Sequence, residues 1–320
     1  MNIISKIFKI FFPFILILIF ASVIRFYYDN NTENFFFLNN IDLKYVLILI
    51  FFGFLYLFLE TLILNLIVKF NNKQVSFLEL FSVINVTYFC TSFVQFSGLG
   101  FRAYYLKKNL NISYSSFLSI SIFIIFIELF VFSFLSYSII KFYEIKNKID
   151  ILNLNIEIFL ILIFSSIFII FFFKNIIFDF LKKNFLINKI SILKKTISIF
   201  DDILKRKFEK IIPSIVTIFL LQFLIIVIIC SLSFNLHEQN LIRSLLFGVI
   251  SAMSIDLSFI FSITPYSIGI SELFITYSTI NFNLNLANVL STANSFRFSL
   301  MVFYFIITPI YFLLKTIKKN

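Results

Sequence analysis

The sequence predicts an all-α polytopic membrane protein with about seven to eight transmembrane helices and two interrupted, re-entrant segments in a twofold internal repeat. Three observations carry that expectation. Apolar runs long enough to span a bilayer recur from end to end, and only 13% of residues are charged, against ~25% in an ordinary soluble domain. Two stretches, Gln95–Arg102 and Thr264–Glu272, interrupt these runs with Gly or Pro, and each has a charge directly behind the break. A shift of 169 residues places Gly100 on Gly269 and carries Glu128 onto Arg297. A transmembrane β-barrel would instead show short strands of alternating polarity.

The elements follow in order. Lys6 and Lys9 precede an apolar run from Ile10 to Ile24, which resembles a signal peptide. Ala21-Ser22-Val23 is a poor cleavage site, so the run reads as a retained first helix. Tyr45–Val68 is a second span with Glu60 inside it, followed by Lys69 and Lys73. Phe77–Gly100 carries Glu79, Asn85, Thr87, Thr91 and Gln95, too polar for lipid, and must face protein or a watery cavity. Further runs start near residues 114, 151, 211, 245 and 286, giving seven clear crossings with that at 10 and that at 45. Glu128, Asp256 and Arg297 lie inside these runs.

Residues 174–210 form a basic insert whose Ile190, Leu193, Ile197, Phe200 and Leu204 share one helical face. It reads as an amphipathic helix on the cytoplasmic surface, joining halves of about 1–173 and 211–320 within one domain spanning 1–320. The positive-inside bias places the amino terminus and this insert in the cytoplasm. Two re-entrant breaks with seven crossings would leave the carboxy terminus outside, against its Lys315, Lys318 and Lys319. One break crossing fully gives eight, with both ends inside, and is the preferred count.

Composition limits the chemistry. The net charge of +11 accompanies 51 Phe and heavy use of Ile, Asn and Lys. That usage suggests an AT-rich coding sequence, so the charge argues only weakly for anionic partners, and no nucleic-acid partner is expected. Cys90 and Cys230 sit in apolar runs as free thiols. The single His237 cannot build a typical zinc site. Asp201-Asp202 is the one aspartate pair, and it lies on the amphipathic insert. No metal, cofactor or catalytic residue is therefore assigned.

The candidate site gathers around the two breaks: Arg102, Glu128, Glu272 and Arg297, with Gln95, Gly98, Gly100, Pro265 and Gly269 shaping the backbone. A charge at mid-bilayer costs ~2.5–3.5 kcal/mol on insertion scales, so these four must pair or line a cavity. The pairs fall either within halves (Arg102 with Glu128, Glu272 with Arg297) or across them (Arg102 with Glu272, Glu128 with Arg297). In one reading the two arginines grip an anionic head group, for which a planar guanidinium fork is suited, while the glutamates position them. In the other, the charges only lock helices together, which is the reading given to Glu60 and Asp256.

Ser97-Gly98-Leu99-Gly100-Phe101-Arg102, running on to Tyr104-Tyr105-Leu106-Lys107-Lys108, resembles the glycine turn, arginine and basic tail of the lysylphosphatidylglycerol synthase transmembrane-region family, the flippase-like membrane proteins. Glu128 matches a glutamate in the helix that follows. Pro265-Tyr266-Ser267-Ile268-Gly269-Ile270-Ser271-Glu272 resembles that family's second turn, and Arg297 its later arginine. Gln95-Phe96 stands where the family often has a proline, and Ser267-Ile268 where paired glycines are frequent. The resemblance implies binding or translocating a phospholipid, glycolipid or polyprenyl-linked lipid in the cell membrane. With no soluble aminoacyl-transfer domain in the sequence, an enzyme is not expected. The alternatives are an integral-membrane transferase and an accessory subunit of envelope-biosynthesis enzymes; membrane lipids are the expected partners, and a homo-oligomer is left open.

Overall fold

In the computed structural model, residues 43–147, 208–235 and 240–317 are described, apart from Gln95, 262–266, 268–269 and 279–285. The runs starting near residues 10 and 151, the basic insert up to residue 207 and His237 lie outside them. The described residues form eight helices and no strand: α1 (Leu43–Phe70), α2 (Phe77–Thr91), α3 (Ser97–Leu110), α4 (Tyr114–Asn147), α5 (Phe208–Asn235), α6 (Leu241–Phe261), α7 (Ile270–Ser278) and α8 (Leu286–Ile317). Five of them, α1, α4, α5, α6 and α8, contain stretches long and apolar enough to cross a membrane. Helix is what such sequences must adopt in lipid, because it satisfies each backbone N–H and C=O within the segment.

The first interruption is a hairpin of two short helices. Ser76 caps α2 by accepting from the Glu79 N–H at 3.4 Å, the Ser-x-x-Glu spacing of a capping box. After the break, α3 runs back along α2, and the Tyr105 hydroxyl donates to Glu79 Oε1 at 2.7 Å. Burial, then the Glu79 carboxylate, push the Tyr105 pKa above its ordinary value, so the phenol stays a neutral donor. Asn111 ends α3 in the left-handed conformation, with its N–H returning to Leu106 C=O. The Ser116 hydroxyl near the start of α4 bonds Asn71 just beyond α1 at 2.9 Å. The hairpin therefore returns to the side from which it set out.

The backbone at the tip differs from expectation. Gly98 and Gly100 lie inside α3, and the left-handed residue is Phe96, with φ 63°. Gly98 instead permits contact: a Cβ there would collide with Thr91 Oγ1 and the Thr87 carbonyl of α2. Nothing lies within 4 Å of the Cβ position at Gly100. In the second interruption the left-handed residue is Ser267, with φ 58°, while Pro265 and Gly269 lie outside the described residues.

The second quartet, α5–α8, also has long outer helices and a short α7, but its α6 is long enough to cross a membrane. Shifting α3 by 169 residues lands it over α7. Helix α6 runs back along α5, with the Phe234 and Phe247 rings stacked at 4.3 Å and Gly248 pressed against Val227 and Ser231. Ser233 at the end of α5 shares a 2.7 Å hydrogen bond with Ser295 of α8. The α6–α7 pair thus also leaves and returns on one side.

The quartets run in opposite senses. Glu60 of α1 meets Gln222 of α5, while Tyr45 near the start of α1 faces Ser233 near the end of α5. Helices α1 and α5 are therefore antiparallel. Tyr45 also faces Ser295, Gly53 lies against Ser299, and the Phe54 and Phe303 rings are 5.7 Å apart, so α8 runs parallel to α1. Rings of Phe132, Phe219 and Phe223 knit α4 to α5, as Tyr56 and Phe296 knit α1 to α8.

Candidate functional site

Two charged clusters result, one per hairpin. The second is closed. Glu272 sits in the first turn of α7, where the helix dipole favours an anion, and faces Arg297 of α8. Arg297 Nη1 donates to Glu272 Oε1 and to Asn294 Oδ1 (3.1 Å). Its Nη2 donates to Ser271 Oγ, to Glu272 Oε2 (3.2 Å) and to the Ser267 carbonyl (3.3 Å). This two-pronged arrangement uses both terminal nitrogens of the planar guanidinium fork. Both side chains are nearly buried. A narrow cleft beside them is lined by Ile255, Ser258, Ser267, Ala293 and Phe296, and the buried Ser267 hydroxyl in it has no hydrogen-bond partner among the described residues.

The first cluster is looser and draws on six helices. Arg102 of α3 lies 3.8 Å from Glu60 of α1, beyond hydrogen-bond reach, and its buried Nε has no partner among the described residues. Gln222 of α5 donates to Glu60 Oε1 at 3.2 Å. Glu128 of α4 lies within electrostatic reach of Asp256 of α6, of Glu60 and of Arg102. The phenols of Tyr56 and Tyr88, from α1 and α2, lie within reach of Glu60 and Glu128. Asp256 Oδ2 and Gln222 Oε1 are buried without partners among the described residues. The adjoining hairpin tip exposes Phe93, Val94, Phe96 and Leu99.

Of the pairings open from sequence, Glu272 with Arg297 forms. Arg102 makes its ion pair with Glu60 rather than with Glu128 or Glu272, and Glu128 joins the Arg102 cluster rather than meeting Arg297. Arg102 and Glu128 are brought together loosely. Gly98 packs the hairpin, Gly100 lies on its open face, and Gln95, Pro265 and Gly269 are outside the described residues. Sequence reasoning missed Gln222. Its signal was present, since it is the one amide in the run from Ile211 to Phe234. Among the described residues no group of three His, Cys, Asp or Glu is placed to hold a metal ion.

No curated protein and no solved structure matches the chain. A family match does exist, and it spans both clusters, helices α1 to α7 and most of α8: residues 14–308 match the family described as Lysylphosphatidylglycerol synthase TM region. The chain is a multi-pass membrane protein belonging to the Lysylphosphatidylglycerol synthase TM region family.

Proposed function

We propose that this protein binds and translocates lipids with anionic head groups, without covalent chemistry on them, in the cytoplasmic membrane. The observation that carries the proposal is the state of Arg102: a largely buried guanidinium near the tip of a re-entrant hairpin, which among the described residues is held at 3.8 Å by one carboxylate, with Nε unpartnered. A buried cation with spare donors is costly unless it has an anion to receive. Phosphate suits it, because the guanidinium fork matches phosphate oxygens. The apolar tip formed by Phe93, Val94, Phe96 and Leu99 offers acyl chains a surface next to that cation. A ligand with a charged head and apolar tails fits both features.

The two arginines then have different roles. Arg102 receives the head group. Arg297 is engaged by Glu272, Ser271, Asn294 and Ser267, and holds α7 against α8 until a competing anion draws it away. Opposed quartets favour alternating access, since each hairpin reaches the interior from its own side. Proteoliposomes carrying a fluorescent anionic phospholipid test the reading. Wild-type protein should expose inner-leaflet label to an external quencher, and Arg102→Ala should abolish this. Equal rates in wild type and Arg102→Ala would overturn it.

A further inference from the structure

We infer that the cavity where α1 ends is a second binding site, separate from Arg102, for the phosphodiester head group of a membrane lipid that carries hydroxyls. The cavity has a volume of about 600 Å³, well inside the range of small-molecule sites. The described residues that line it are Lys69, Lys73, the amides Asn65, Asn72 and Gln74, and an apolar wall of Val75 and Phe77; none of these is acidic. The inference does not rest on translocation, because occupancy of the cavity requires no movement of the lipid across the membrane.

The way α1 stops builds the cavity. Asn65, Lys69 and Asn72 recur at steps of four and three, so they follow one face of the helix into the turn behind it. Asn72 is left-handed, with φ 54°, a conformation asparagine tolerates. Its N–H bonds the Lys69 carbonyl at 2.9 Å, and the Lys73 N–H bonds the Val68 carbonyl at 3.1 Å. These paired bonds close the helix end and occupy its last carbonyls. They also turn the chain sharply enough to set Lys73 and Gln74 around the same cavity as Lys69. Asn71 pins the turn: its side-chain amide donates to the Ile67 carbonyl at 2.9 Å, and its Oδ1 accepts from the Ser116 hydroxyl of α4 at 2.9 Å. The Phe77 ring is held against Phe58 of α1 at 5.0 Å. The walls therefore stand on a fixed backbone.

The lining selects the ligand. Two ammonium groups, with no carboxylate among the described lining residues, favour an anion, and lysine binds phosphate as a point charge. Each amide offers donors and an acceptor, which match hydroxyl groups. A choline head group suits the cavity poorly, because its quaternary ammonium is repelled by the lysines and has no hydrogen to donate. Val75 and Phe77 give the glycerol backbone and first methylenes an apolar surface. The cavity also lies where a membrane-spanning helix ends, which favours a lipid over a soluble phosphate ester. Lys69 stands nine positions after Glu60, on the opposite side of α1 and about 13 Å further along its axis. The lysines and Arg102 therefore hold different anions.

Native mass spectrometry of the full chain in detergent, titrated with phosphatidylinositol or phosphatidylcholine, tests the site. Wild type and Arg102→Ala should both bind phosphatidylinositol in preference to phosphatidylcholine. Lys69→Gln with Lys73→Gln should weaken that binding about thirtyfold, while Lys69→Arg with Lys73→Arg should keep it. Lys107→Gln with Lys108→Gln removes equal charge from α3, outside the cavity, and should leave binding unchanged. Asn65→Leu with Gln74→Leu should weaken phosphatidylinositol and spare phosphatidic acid, which has no hydroxyl substituent. No preference in wild type, or equal losses in the two glutamine pairs, would overturn the site. Equal loss of both lipids in the leucine pair would overturn the part given to hydroxyls. Loss of the bound lipid in folded Arg102→Ala would assign it to Arg102 and overturn a second site, leaving the lipid reading intact. Displacement of the lipid by an equal concentration of soluble inositol phosphate would replace the lipid with a free phosphate ester.

Discussion

A guanidinium survives inside a membrane only while acceptors surround it, and the two arginines here meet that demand differently. Arg297 has five acceptor contacts on four residues. Removing it strands Glu272 without its cation, and breaking a buried pair from one side costs ~3–5 kcal/mol. Arg297→Ala should therefore lower the melting temperature in detergent sharply. The double variant Arg297→Met with Glu272→Met should recover much of the loss, because no charge is left stranded. Arg102→Ala should cost less, since its one ion pair among the described residues is long. Neither of the first two glycines at the break acts through positive φ. Gly98→Ala should open the first hairpin, because the added methyl meets Thr91 and Thr87. Gly100→Ala has open space and a helical backbone, and should stabilise by ~0.5–1 kcal/mol. Thermal unfolding of the two variants, compared side by side, checks both signs.

At the scale of elements, the sequence made the two interruptions legible because a membrane helix tolerates few reasons for polar residues and Gly or Pro to cluster. The helical class and the spans of α1, α4, α5, α6 and α8 were legible for the same reason. The mechanism of the break was not. Among the described residues, left-handed Phe96 and Ser267 stand at the breaks, and neither residue type advertises positive φ. The pairing of Arg102 was hidden too. Glu60 lies on a different helix from the expected partner Glu128, and Gln222, which fixes Glu60, is 162 positions from it. Only packing could bring them together. The two hairpin tips also differ in a way that no spacing shows: Ser97 is half-buried, whereas Ser267 is 1% exposed. In a background with Cys90→Ala and Cys230→Ala, Ser97→Cys should react with a small aqueous thiol reagent while Ser267→Cys stays protected. The exposed Lys73→Cys serves as the reactive reference. Equal protection at Ser97 and Ser267 would mean that the first tip is as closed as the second.

For the whole molecule, opposed quartets settle which ends of the helices share a side. Helix α8 runs parallel to α1, so its carboxy-terminal end lies on the side of Lys69, Lys73, Lys107 and Lys108. That end of α8 thus lies on the basic side, as the positive-inside bias favours. The start of α6 lies opposite. An impermeant thiol reagent should therefore label Lys73→Cys and Lys315→Cys from one face of the membrane and Asn240→Cys from the other. Labelling of Lys315→Cys together with Asn240→Cys would reverse α8. This architecture brings Arg102, Glu60, Glu128, Asp256 and Gln222 from five helices into the interior, beside an apolar hairpin tip. A lipid held by its head group is what that arrangement accommodates. The most direct measurement is mass spectrometry of lipids retained through purification by wild type, Arg102→Ala and Arg297→Ala. The account predicts an anionic lipid retained by wild type and depleted in Arg102→Ala, even where that variant melts normally. The same lipid retained in equal amount by folded Arg102→Ala would contradict it.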